Sequence, residues 1–243
     1  MELADKTALV TGGGTGIGLG IALGLAQQGC RVAIAGRREE TLKAAAAAYK
    51  GDPGLLTHSV DVGDAASVEQ LFHWAKTALG PIDILVNSAG TNVAKRSMAE
   101  LSIDDWELMM RINATGAFYC MRAVLPEMRW RRDGLIVNIS SISGKRATLL
   151  GGVGYSASKF AMAALGMTAS IEENKHGVRI TTVYPGEVDT PILERRPVPV
   201  TPEHRARMLK PEDVAAAVVM LAQLPPRAHI PELIIKPTTQ DFV

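Results

Sequence analysis

The sequence predicts an α/β protein, a doubly wound parallel sheet of about seven strands with helices on both faces. Strand-like and helix-like stretches alternate along the 243 residues, and most of the strand-like stretches are apolar on both faces. The first of them runs straight into a glycine-rich turn that opens a helix. A strand buried on both sides belongs in a parallel sheet, because the crossovers that parallel strands require lie over the two faces.

The elements follow in order. "TALVTG" (7–12) is a short apolar run closed by glycine, followed by a helix over about 17–28 that Gly29 can end in a left-handed conformation. "RVAIAG" (31–36) is the second strand, and the alanine-rich "ETLKAAAAAYK" is helical by propensity. "LLTHSVDV" (55–62) is the third strand, before a helix over about 64–79 that Gly80 and Pro81 stop. "IDILVNSAG" (82–90) is an apolar strand with a polar end, and a long helix over about 104–130 follows, with a kink expected at Pro126. Next come the strand "GLIVNISS" (134–141), a helix beginning near Tyr155, and the strand "VRITTVYPG" (178–186). A helix over about 212–223 and the strand "ELIIK" (232–236) close the pattern. No linker rich in Pro, Gly or Ser divides the chain, so residues 1–243 are expected to form a single domain. The proline-rich piece "RRPVPVTPEH" (195–204) reads as part of an excursion over 187–205 that covers a substrate.

Composition narrows the classes of function. Lys and Arg number 26 against 25 Asp and Glu, a balance that argues against general attraction to nucleic acid or to an anionic membrane. The cluster "MRWRRDG" (128–134) sits at a helix end, where cations complement the dipole. Two distant cysteines, Cys30 and Cys120, and a start without a basic, apolar leader lead to the expectation of a cytoplasmic protein. No apolar run approaches the length of a membrane span. The five histidines are scattered without ligand spacing, so no metal is expected and a metal-dependent hydrolase has nothing to support it.

Two motifs point to a dinucleotide. In "TGGGTGIG" (11–18) the glycines at 12, 16 and 18 fall between a strand and a helix, where backbone N–H groups can meet a pyrophosphate; a plain turn is the other reading. An NAD site would place a carboxylate at the end of the second strand to hold the ribose 2′-hydroxyl. This chain has "AGRREE" there, with Gly36 followed by Arg37 and Arg38, and Glu39 and Glu40 come too late in the turn. A planar guanidinium suits a 2′-phosphate, so NADP is expected ahead of NAD. The alternative, two solvated arginines opening a helix, weighs most on Arg38.

The stretch "GVGYSASKFA" (152–161) sets Tyr155 and Lys159 on one helix face among small residues. A phenol has a pKa near ~10, and lowering it to ~7 for acid–base work needs about 4 kcal/mol of preference for the phenolate. The lysine ammonium and a positively charged nicotinamide could together supply that field. Ser141 ends the strand upstream at "NISSISG", while Asn113 in "RINATG" and Asn87 in "VNSAG" add polar side chains.

Jointly, T-G-x-x-x-G-I-G, N-S-A-G, S-S with a later Y-S-A-S-K, and P-G before D-T-P resemble the short-chain dehydrogenase/reductase family over about residues 5–190. The resemblance implies a Rossmann-type fold and hydride transfer between a nicotinamide cofactor and an alcohol or carbonyl. Carried over by position, it makes Tyr155 the acid–base and Ser141 the hydrogen-bond partner of the substrate oxygen. Lys159 would lower the tyrosine pKa and bind the nicotinamide ribose, and Asn113 would hold the water of a proton relay. Asp61 with Val62 would contact adenine, Asn87, Ala89 and Gly90 would border the cofactor, and Thr190 would bind the carboxamide. Thr15 and Ile17 in the glycine turn, and Pro185, Gly186 and Val188 around the P-G motif, complete the implied cofactor set. A homodimer or homotetramer is implied as well.

Three departures accompany the resemblance. Ser88 stands where the family usually has Asn, and the step from Ser141 to Tyr155 is one longer than the commonest spacing, which leaves Ser140 and Ser143 as alternatives. The ending "PELIIKPTTQDFV" lacks a glycine-rich D-G-G, which argues against a role in fatty-acid synthesis. The expected activity is therefore NADP-dependent interconversion of a secondary alcohol, or hydroxy acid, and its carbonyl. The alternative is a nucleotide-responsive binding or regulatory protein without turnover, which would have no need of the acid–base pair. Specificity is expected from 143–153 and 187–200, with Leu149, Leu150, Val153, Ile192 and Leu193 as an apolar wall. Arg146, Arg195 and Arg196 are candidates to meet an acidic substrate or to be merely solvated.

Overall fold

The structure, a computed structural model, describes residues 2–241. Its strands are β1 (Thr7–Thr11), β2 (Arg31–Gly36), β3 (Leu56–Ser59), β4 (Ile84–Asn87), β5 (Gly134–Ile139), β6 (Val178–Pro185) and β7 (Glu232–Ile235). All seven belong to one sheet, ordered β3-β2-β1-β4-β5-β6-β7, with every neighbouring pair parallel.

Side chains alternate across each strand, so β1 feeds two cores at once. Ala8 and Val10 pack with Ile21 and Leu25 of α1 (Gly16–Gln27), Leu42 of α2 (Glu39–Ala48) and Val214 and Val218 of α8 (Pro211–Gln223). Leu9 faces the other way, onto Val68 and Leu71 of α3 (Ala65–Ala78) and Met121 and Val124 of α5 (Gly116–Arg131). Leu165 and Ala169 of α6 (Val153–Glu173) flank that second core. Helices thus cover both faces, as the doubly apolar strands require.

β1 lies between β2 and β4, and the order of the chain reverses there. Connections leaving β1 and β4 depart to opposite faces, which opens a crevice at the carboxyl ends of those strands. The local signals that start and stop the helices around it hold. Asp64 caps α3 by accepting from the Ala66 N–H at 3.1 Å. Gly29 and Gly80 take φ of 88° and 84°.

Three elements differ from the sequence expectation. β3 spans four residues rather than 55–62; it is an edge strand that pairs with β2 alone, and its half-exposed side chains have no second neighbour to extend the ladder. β4 stops at Asn87, where its ladders to β1 and β5 both end, and Ser88, Ala89 and Gly90 line the crevice. The helix expected over 104–130 is divided into α4 (Ile103–Met110), a π-helical turn (Arg111–Thr115) and α5. Pro126 lies inside α5, and the departure from α geometry falls at Asn113 instead. The extra residue in such a turn re-aims one side chain, here toward the crevice loop at Thr91.

Among the described residues no helix is long and apolar enough to cross a membrane. Between β6 and α8 the chain makes a 3₁₀ turn (Pro191–Arg195) and the short α7 (Pro202–Arg205). Glu187 holds this excursion together, accepting from Arg196 at 2.8 Å and meeting His204 Nε2 at 2.7 Å.

Candidate active site

The crevice is a cleft of about 720 Å³ that runs from the glycine turn after β1 to the loops after β5 and β6. At one end the turn depends on the absence of side chains. Gly12 has φ of 66°, and a Cβ there would lie 2.8 Å from the Ala89 Cα; a Cβ on Gly18 would collide with the Gly12 carbonyl oxygen. The first-turn N–H groups of a helix have no partner inside it. In α1 the Thr15 side chain makes no capping bond and no acidic residue stands in the first turn. Gly16, Ile17 and Gly18 line the cleft, so these open donors and the positive end of the helix dipole fit a pyrophosphate.

At the end of β2, Gly36, Arg37 and Arg38 line the same cleft. Among the described residues no carboxylate lines that corner. Glu39 and Glu40 are drawn back along α2 to Lys43, at 2.9 and 3.5 Å. The residues present therefore fit a 2′-phosphate and offer a 2′-hydroxyl no acidic partner.

The other end gathers the polar groups of α6. Lys159 is buried and its Nζ donates to the Ile139 carbonyl at 2.8 Å. Burial lowers its pKa from 10.5 to about 8, with no carboxylate opposing the shift. A Cβ on Gly90 would stand 3.5 Å from that Nζ, so the glycine leaves the ammonium uncovered toward the cleft. Nζ lies 5.7 Å from the centre of the Tyr155 ring.

Tyr155 sits in the first turn of α6, which starts at Val153 after Gly152 with φ of 79°. The Ser141 hydroxyl lies beside its phenol and favours the phenolate. Withdrawal from water raises the phenol's pKa above the usual value, while the Ser141 hydrogen bond and the Arg96 guanidinium pull it down less strongly. The protein alone thus keeps Tyr155 as a phenol. The other two serines are engaged elsewhere: Ser140 Oγ donates to the Lys159 carbonyl at 3.0 Å, and Ser143 Oγ meets Thr148 Oγ1 at 3.3 Å.

The sequence candidates divide. Gly12, Thr15, Gly16, Ile17, Gly18, Arg37, Arg38, Val62, Ala89, Gly90, Tyr155, Lys159, Pro185, Gly186, Val188 and Thr190 all line the cleft. Asp61 does not; it is exposed and turns inward on its own loop, accepting from the Gly63 N–H at 2.9 Å. Asn87 is buried between strands, where its Nδ2 donates to Asn138 Oδ1 at 2.9 Å. Ser141 is outside the lining, which includes Ser140 and Ser143; its Oγ accepts from the Ser143 N–H at 3.1 Å and lies beside the Tyr155 phenol. Asn113 lies beneath the cleft and is fully buried. Its Oδ1 accepts from the Thr91 N–H at 2.7 Å, and its Nδ2 donates to the Thr91 carbonyl and to Ser158 Oγ, each at 2.9 Å. Since Ser158 Oγ donates in turn to the Tyr155 carbonyl at 2.8 Å, one amide ties the loop after β4 to the helix that carries Tyr155.

Sequence reasoning missed Arg96, whose buried side chain lines the cleft. In "NVAKRSM" it looks like any solvated arginine, and nothing in its spacing marks it. Of the three arginines singled out, Arg195 and Arg196 line the cleft; Arg146 is exposed and outside its lining.

Comparison with known proteins agrees with this geometry. The sequence model of the short chain dehydrogenases matches residues 6–198. An uncharacterized oxidoreductase of Staphylococcus saprophyticus is 37% identical over 243 residues, covering 98% of this chain and 99% of the relative. Among solved structures, an alcohol dehydrogenase from the archaeon Thermococcus sibiricus, complexed with 5-hydroxy-NADP, superposes with a TM-score of 0.87 at 30% identity, covering 97% of this chain and 98% of that one. The closed form of a serine dehydrogenase complexed with NADP+ gives the same TM-score at 33% identity, covering 97% and 96%. The chain belongs to the short-chain dehydrogenase family and is an NAD(P)-dependent oxidoreductase.

Proposed function

We propose that the protein is an NADP-dependent oxidoreductase that interconverts a secondary alcohol, or hydroxy acid, and its carbonyl, with Tyr155 as acid–base. The observation that carries this reading is that Tyr155, with Ser141 beside its phenol, and Lys159 line the same cleft as the glycine turn and Arg37. When bound, the nicotinamide gives or takes a hydride at the substrate carbon and carries positive charge in its oxidised form.

The chain's own residues do the rest. The first-turn N–H groups of α1 hold the pyrophosphate, Arg37 and Arg38 take the 2′-phosphate, and the Lys159 ammonium holds the nicotinamide ribose. Ser141 and Tyr155 hydrogen-bond the substrate oxygen. In reduction the Tyr155 hydroxyl gives its proton to that oxygen; in oxidation the phenolate takes it back. Because burial outweighs Ser141 and Arg96 and raises the phenol's pKa, the phenolate needs an added positive charge nearby, which a bound oxidised nicotinamide would provide. Asn113 acts as a positioning residue, since both its N–H groups are spent on Thr91 and Ser158; a water relay would pass by its main chain. Asn87 contributes by tying β4 to β5, and Asp61 through the loop that it braces.

The chain works in this proposal as one catalytic domain, with residues 187–205 covering the substrate. Half-exposed Phe118 and Phe160 on α5 and α6 support association into a homodimer or homotetramer, and the proposal places the enzyme in the cytoplasm. The NADP ligands of the two structural neighbours support the cofactor choice.

Fluorescence titration with NADPH and with NADH tests the reading. NADPH should bind the tighter of the two. Arg37→Ala should weaken NADPH by about 10–100-fold, as loss of a charged hydrogen bond does, and leave NADH little changed. Binding of neither nucleotide would refute the proposed function, and equal losses for both would remove Arg37 as the reader of the phosphate.

A further inference from the structure

Arg96 is 7% exposed, and the groups that it touches are neutral. Its Nε donates to the Val93 carbonyl at 2.8 Å, one terminal nitrogen to the Leu150 carbonyl at 2.9 Å, and the other to the Arg195 carbonyl at 2.5 Å. Those bonds use three of the five N–H groups of a guanidinium and leave one on each terminal nitrogen. Burial lowers the pKa of Arg96, the neighbouring charge of Arg196 lowers it further, and the one opposing influence is Tyr155. A buried cation without a carboxylate partner is costly and rarely kept unless something compensates it.

The surroundings add positive charge. Arg195 lines the mouth of the same pocket and donates to the Thr91 hydroxyl at 2.5 Å and the Asn92 carbonyl at 3.0 Å. Among the described residues two carboxylates line the cleft, Glu187 and Glu194. Glu187 is already held by Arg196 and His204, and Glu194 is exposed. The end of the cleft near Tyr155 therefore presents uncompensated guanidinium charge. The Arg96 guanidinium bonds to Val93, Leu150 and Arg195, none of them in the glycine turn or beside Arg37, where the cofactor phosphates are proposed to sit.

We infer that Arg96, assisted by Arg195, is a specificity residue that binds a carboxylate on the substrate, so that the enzyme acts on hydroxy acids and oxo acids rather than on neutral alcohols and ketones. Two free N–H groups on a guanidinium match two carboxylate oxygens in number and charge. Arg96 draws together three segments, the loop after β4, the turn before α6 and the excursion through Arg195, so an anion bound there also fastens the cover over the reacting carbonyl. The inference rests on the proposed oxidoreductase activity and narrows its substrate.

The test is the NADPH-dependent reduction of short 2-, 3- and 4-oxo acids, each against its primary amide, which has nearly the same shape and no charge. At least one acid should exceed its amide by about 30-fold or more in kcat/KM, the worth of a charge-assisted pair. Arg96→Gln should bring that ratio down by about tenfold or more. The ratio separates charge recognition from a merely structural clip, because loosening of the loops lowers both members of the pair together. If Arg96→Gln does not fold, the wild-type ratio decides, with Arg195→Gln as the second variant, expected to lower the ratio less. Amides reduced as well as acids in every pair, or neutral ketones reduced while no acid is, would overturn the inference and leave the oxidoreductase reading intact. Failure to reduce any carbonyl, charged or neutral, would remove the proposed activity and this inference with it.

Discussion

In Lys159→Met, the buried ammonium that donates to the Ile139 carbonyl at 2.8 Å gives way to a side chain of similar reach without charge. Burial has lowered the lysine pKa from 10.5 to about 8. At about 1.4 kcal/mol per unit, the charged form costs roughly 3 kcal/mol more in the folded protein than in water. Methionine removes that penalty and leaves the Ile139 carbonyl without its donor, a loss of about 1–3 kcal/mol. At neutral pH the two effects nearly offset, and the variant should match or exceed the wild type in stability by up to about 2 kcal/mol. The sign of the pH dependence follows from the depressed pKa. Below pH 8 the folded and unfolded lysines are both protonated and the wild type bears the whole penalty; between 8 and 10.5 the unfolded chain alone keeps the proton, so wild-type stability rises with pH. Urea denaturation of both proteins at several pH values from 7 to 10 reads the difference, in which all other titrating groups cancel. The wild type should gain roughly 3 kcal/mol on the variant as the pH is taken through this window, while the variant loses turnover by about 100-fold or more. A stability difference that stays constant with pH would refute the desolvated ammonium.

Two further substitutions test the scaffold of the site. Gly18→Ala drives a methyl group into the Gly12 carbonyl; it should destabilise the fold by about 1–3 kcal/mol in urea denaturation and weaken NADPH at least about tenfold, because the turn must shift outward. Asn113→Ala removes the bonds to Thr91 and Ser158, leaving buried partners unpaired; it should cost about 3 kcal/mol and lower kcat more than it raises KM, because the position of Tyr155 is lost rather than binding surface.

Much of this molecule was legible in the order of its residues. The doubly apolar strands, Gly29 and Gly80 as helix stops, and the turn at 11–18 are local signals, and local signals survive into the fold. What the sequence hid depends on partners distant in the chain. β3 and β4 end where their neighbours end, which no window of the sequence contains. The long helix is interrupted at Asn113, not at Pro126, because the Asn113 amide is held by Thr91, 22 positions away. Asn87, which appeared beside the cofactor motif, faces Asn138 within the sheet because side chains alternate along a strand. Arg96 looks solvated in one dimension and is buried because loops from three parts of the chain close on its guanidinium. Charge balance in a cleft is a property of assembly, and composition cannot report it.

The central claim is that Tyr155 moves the proton in a site that the dinucleotide completes. Tyr155→Phe removes one oxygen and keeps the ring, so it isolates that claim. Turnover should be measured on the carbonyl reduced best by the wild type, alongside NADPH titration of both proteins. The account predicts a fall in turnover of about 10²–10⁴-fold with NADPH affinity within about threefold of the wild type. Turnover within tenfold of the wild type, with NADPH bound normally, would contradict it.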